Sequence, residues 1–129
     1  MGEKAVEVNG DRITAETIVI AAGGRPAVPE ISGISDVPYL TSDDALRLPE
    51  QPTRLTIVGG GYIAAELGHF FGAMGTEGAI IQRGPLLVQQ EDRDVSRRFT
   101  EVYQRKFHLL LDAQVSRAYR DGDLIAVEV

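Results

Sequence analysis

The residues with most chemical content are Gly59, Gly61 and Ala64, spaced G-x-G-x-x-A within "LTIVGGGYIAAELG". Each type has a physical reason to stand where it does. Gly59 permits a tight turn out of a strand, Gly61 lets backbone approach a pyrophosphate, and Ala64 lets a helix pack closely on the strand. Gly60, Tyr62 and Ile63 complete the turn and the first helical residues, whose unpaired N–H groups and partial positive charge suit phosphate. Glu66 stands one turn further on, where the helix dipole favours a carboxylate. A glycine turn that merely packs is the plain alternative. What argues against it is context: the pattern follows an apolar run, opens a helical stretch and lies inside a βαβ unit.

A second site belongs at the end of the next strand, about 20 residues on, where an NAD-binding unit places Asp or Glu on the ribose 2′-hydroxyl. This chain has Gln82 and Arg83 there. A guanidinium pairs with a 2′-phosphate, which a carboxylate would repel. The pair therefore favours NADPH, with NADH left open and a solvated strand-end charge as the bland reading of Arg83. No residue reads as a catalytic nucleophile or base. With zero cysteines, a disulfide framework and a Cys-based metal site or nucleophile are excluded from the chain. His69 and His108 read as ordinary polar positions.

These residues need a scaffold. "RLTIV" (54–58), a helix from about Tyr62 to Met74, "EGAIIQR" (77–83), a helix over 92–107 with Val95, Phe99, Val102, Tyr103 and Phe107 on one face, and "HLLLDA" (108–113) predict βαβαβ. That order implies right-handed crossovers and a parallel, Rossmann-like α/β sheet. Antiparallel hairpins are expected around Asn9-Gly10 and Asp121-Gly122. "TIVIAAGG" (17–24) reads as a strand buried on both faces. From Arg25 to Pro52 five prolines mark a connector, with a short helix at "SDDALRL" capped by Ser42 or Asp43. Gly68 and Gly72, four apart in the first helix, predict close packing on the sheet, while Gly78 has no rationale in the sequence.

Composition bounds the rest. The 129 residues are 43% hydrophobic and carry a net charge of −6, which argues against nucleic acid as a partner. No apolar run reaches a membrane span, and "MGEKAVEVNG" is charged where a signal peptide would be apolar, so a cytoplasmic location is expected.

Taken together, "TIVIAAGGRP", "TSDDALRLPEQPTRLTIVGGGYIAAELGHFFGAMG" and "DRDVSRRFTEVYQRKF" resemble the flavoprotein pyridine nucleotide-disulfide oxidoreductases. "GGGYIAAE" with its basic strand end looks nearest to the mycothione and mercuric reductase branches. The resemblance implies that residues 1–52 end an FAD-binding domain and 53–129 form an incomplete NAD(P)-binding domain. It implies that Ala21, Ala22 and Gly23 approach FAD, with Ala22 lacking the family's usual Thr hydroxyl. It also implies that Tyr62 is the aromatic gate over the flavin, that Glu66 sits near the nicotinamide amide, and that Arg83 is the first cation of a 2′-phosphate clamp. The second cation of that clamp falls at about Gln89, so the clamp is incomplete. The flavin fingerprint, the C-x4-C redox pair and the dimerisation domain of the family are not in this chain. The expectation is an interior fragment of a homodimeric enzyme, inactive alone, whose partners are NAD(P)H and the rest of the flavoenzyme. The alternative is a non-catalytic nucleotide-binding or assembly module built on the same turn.

Overall fold

A computed structural model describes residues 4–129. The elements run β1 (Ala5–Val8), β2 (Asp11–Thr14), a 3₁₀ turn (Ile34–Asp36), α1 (Ser42–Ala45), β3 (Arg54–Val58), α2 (Tyr62–Ala73), β4 (Glu77–Ile81), α3 (Arg93–Tyr103), β5 (His108–Leu110), β6 (Arg117–Asp121) and β7 (Leu124–Glu128). The Rossmann-like α/β core is as expected. β3, β4 and β5 form a parallel sheet in that order, with Ile57 opposite Ile80 and Ile80 opposite Leu109.

Because side chains alternate along a strand, Ile80 and Ile81 serve opposite faces. Ile80 joins Leu87, Tyr103 and Phe107, backed by Ala65 of α2 and Phe99 of α3. Ile81 joins Ile31, Val37, Val115 and Ala118, so the connector and the β6–β7 hairpin cover the other face. Ser32 fixes that cover: its N–H donates to Ser116 O (3.3 Å) and its carbonyl accepts from Ala118 N–H (2.8 Å).

Both expected hairpins form; the second turns at Gly122-Asp123, one residue beyond the expected Asp121-Gly122, because Asp121 still pairs with Leu124. Asn9 and Gly10 have φ of 53° and 92°, the positive pair that a type I′ turn requires. Three other expectations need correction. Residues 17–24 form no strand, and Val19 and Ile20 are 81% and 87% exposed. Apolarity favours burial, but a strand needs a neighbour, and none of the described strands pairs with this run. The cap of α1 is Thr41 rather than Ser42 or Asp43. Asp44 closes a capping box by accepting from the Thr41 N–H (2.9 Å) and hydroxyl (2.6 Å). Finally, α3 ends at Tyr103 and Val95 is half exposed; the face it buries carries Ser96, Thr100 and Tyr103.

Phe107 explains the glycines. A Cβ at Gly72 would lie 2.7 Å from Phe107 Cε1, and one at Gly78 would lie 2.8 Å from Phe107 Cδ1. Helix and strand both omit a side chain so that one ring can lie between them. At Gly68 a Cβ would meet Ile80 and Ile57 only at 3.5 and 3.7 Å, ordinary contact distances.

Candidate functional site

The glycine turn leaves β3 and enters α2. Gly59 has φ 102°, a conformation that L side chains rarely adopt, and its N–H donates to Ile81 O (2.8 Å), tying the turn to the end of β4. Gly60 is hemmed in by the protein itself: a Cβ there would lie 2.6 Å from Leu87 Cδ2. Its N–H donates to Gln82 Oε1 (3.1 Å) and its carbonyl accepts from Val88 N–H (2.7 Å). At Gly59 and Gly61 a Cβ would meet nothing within 4 Å. The open side of the turn is therefore Gly59 and Gly61, and the closed side is Gly60.

Gly61 caps α2 with no side-chain hydrogen bond, and the first turn holds no acidic residue. The first helical bond is Ala65 N–H to Gly61 O (3.1 Å). The positive end of a twelve-residue helix thus has neither side-chain cap nor countercharge.

Gln82 is occupied at both ends of its amide. Besides accepting from Gly60, it donates through Nε2 to Leu86 O (3.3 Å) and Gln89 Oε1 (3.4 Å). It braces the turn against the loop that follows β4. Arg83 is exposed and makes no ion pair among the described residues. A cleft of about 390 Å³ opens here, lined by Gly59 to Gly61, Gln82, Arg83 and Glu30.

Five of the expected nucleotide-site residues, Gly59, Gly60, Gly61, Gln82 and Arg83, therefore surround one cleft. The others do not line it. Ala64 is on the buried face of α2, whereas Tyr62 (68% exposed), Ile63 and Glu66 lie on the helix surface. Ala21, Ala22 and Gly23 lie in the exposed segment between β2 and the connector.

Other residues hold the site without announcing themselves in the sequence. Thr100 Oγ1 accepts from Leu87 N–H (2.9 Å) and donates to Ser96 O (2.7 Å), while Ser96 Oγ donates to Val88 O (2.9 Å). Both hydroxyls are buried, and together they pin the loop whose Val88 N–H holds Gly60. Val88 has φ 46°, a rare conformation for a β-branched residue. The one signal in the sequence is a Ser and a Thr four apart in an amphipathic helix. From the same helix, Tyr103 Oη donates to Ala65 O (2.8 Å), fixing α2. Burial pushes the Tyr103 phenol above its ordinary range.

Known proteins resemble this chain over nearly its whole length. Mercuric reductase from Staphylococcus aureus is 48% identical over 128 residues, covering 98% of this chain and 23% of that protein. Mycothione reductase from Mycobacterium tuberculosis is 38% identical over 120 residues, covering 93% and 26%. Among solved structures, the HOCl-induced flavoprotein disulfide reductase RclA from Escherichia coli superposes with a TM-score of 0.78 at 30% identity, over 97% of this chain and 29% of that one. The chain thus spans about a quarter of the length of these relatives. The family model for pyridine nucleotide-disulphide oxidoreductases matches residues 1–129, and the chain belongs to that family.

Proposed function

We propose that this chain is the nicotinamide-nucleotide-binding portion of a flavin-dependent disulfide oxidoreductase, taking NADPH in preference to NADH. The observation that carries the reading is the shared cleft: an uncapped helix N-terminus, the open backbone of Gly59 and Gly61, and the Arg83 guanidinium, which has no ion-pair partner among the described residues. In this reading residues 53–129 hold the nucleotide and 1–52 belong with the flavin domain, although Ile31 and Val37 pack under the nucleotide unit.

The residues present fit a dinucleotide. Gly59 and Gly61 leave space for a pyrophosphate, the α2 N-terminus supplies partial positive charge, and Arg83 answers a 2′-phosphate. Tyr62, Ile63 and Glu66, on the exposed surface of α2, are the groups proposed to meet the nicotinamide end, and Ala64 lets α2 sit close enough to do so. When bound, the nucleotide would supply a hydride for a flavin; the chain's own task is to bind, orient and shield it. For FAD, Ala21, Ala22 and Gly23 offer accessible backbone but no enclosing wall, so their contact with the flavin rests on the family resemblance. The disulfide or related substrate, and the parent's assembly as a homodimer, belong to the same proposal.

Amide chemical shifts recorded during an NADPH titration test the site. Shifts concentrated at Gly59 to Ala64 and at Gln82 and Arg83 are expected. Shifts confined to other segments would remove the reading.

A further inference from the structure

The acceptor missing at the end of β4 has a counterpart elsewhere in the cleft. Where an NAD-binding unit carries a carboxylate, this chain has Gln82, whose amide is already engaged by Gly60, Leu86 and Gln89. Glu30, from the connector, lines the same cleft as Arg83. The next residue, Ile31, is buried in a cluster with Ile81, the last residue of β4 before Gln82. Ser32 is locked by its two backbone hydrogen bonds to the β6–β7 side. Glu30 is thus set beside the strand end by a route that crosses between distant parts of the sequence. Neither Glu30 nor Arg83 is in an ion pair among the described residues.

We infer that Glu30 is a specificity-determining residue that opposes Arg83. Its carboxylate favours a ribose bearing a free 2′-hydroxyl and disfavours one bearing a 2′-phosphate. The inference rests on the cleft being the nucleotide site, and it deepens that reading. A 2′-phosphate carries between one and two negative charges near neutral pH, so a carboxylate on the same cleft raises the free energy of its binding. A 2′-hydroxyl has no charge to repel and can donate to the carboxylate. With one cation and one anion on the cleft, the preference between the two cofactors is narrow. Removing either charge moves it in opposite directions.

The probes are 2′,5′-ADP and 5′-ADP, which differ at the 2′ position and need only the adenosine end of the site. Dissociation constants are measured for the chain, for Glu30→Gln and for Arg83→Gln, in about 20 mM and about 500 mM salt. Glu30→Gln is expected to tighten 2′,5′-ADP by roughly threefold to tenfold at low salt, leaving 5′-ADP unchanged or weaker. Arg83→Gln is expected to weaken 2′,5′-ADP alone. Both effects shrink at high salt, where charges more than about 3–5 Å apart are screened. If both probes bind but Glu30→Gln alters them equally or not at all, the inference falls and the nucleotide site stands. If neither probe binds the unaltered chain, the nucleotide site falls and the inference falls with it.

Discussion

At the scale of residues, the glycines carry the most specific expectations. Gly60→Ala places a methyl against Leu87 and Gln82, and forcing an extra carbon into a packed site costs about 1–3 kcal/mol. That variant should lower the urea midpoint and weaken NADPH together, because Gly60 is held from both sides. Gly68→Ala should be neutral or stabilising by up to about 1 kcal/mol, the helix propensity difference, since its new methyl finds ordinary contact distances. Gly78→Ala should cost about 1–3 kcal/mol, and Phe107→Leu should relieve part of that cost. A double-mutant cycle by urea denaturation reads the coupling between Gly78 and Phe107; additive effects would refute the seat assigned to the ring. The sequence marks Gly59 and Gly61, because a fixed spacing with a physical role for each is a local pattern, but not the packing of Gly60 by Leu87 and Gln82. It could not show why Gly78 is a glycine. The cause is an aromatic ring 29 positions away, and nothing local records it.

At the scale of elements, α3 is where pattern and structure part. Val95 fits helical spacing yet stays exposed, and the buried stripe instead runs through Ser96 and Thr100, whose hydroxyls hold Leu87 and Val88. Hydrophobic periodicity cannot announce a polar buried stripe, since a hydroxyl with a partner packs as readily as a methyl. Thr100→Val should leave the Leu87 N–H buried without an acceptor and cost about 1–3 kcal/mol. Thr100→Ser should restore most of it, and thermal unfolding of the two variants checks the difference. A second expectation concerns pH. Burial raises the folded pKa of Tyr103, so its contribution to stability is fully present below the unfolded value near 10 and is lost as pH rises through the higher folded value. Tyr103→Phe should flatten the alkaline part of the stability curve above about pH 10, as followed by denaturation at each pH. An alkaline slope unchanged by the substitution would contradict the burial assigned to this phenol.

At the scale of the whole molecule, the parallel sheet and both hairpins were legible because each rests on local rules: turn residues, apolar runs and helix-length amphipathic segments. Residues 17–24 were not, since burial of an apolar run depends on what lies beside it. The exposed Val19 and Ile20 stand in contrast to Ile80 and Ile81, which share the two cores of the sheet. Hydrogen exchange should therefore separate the chain into slow amides in β3, β4 and β5 and fast amides over residues 16–30, which lack strand or helix bonding. The chain belongs to the pyridine nucleotide-disulphide oxidoreductase family, and its cleft, with Arg83 and the open glycines, is the feature on which the proposed function depends. Calorimetric titration with NADPH and with NADH is the most direct test of it. The account predicts saturable one-to-one binding of both with NADPH the tighter; no binding, or tighter binding of NADH, would contradict it.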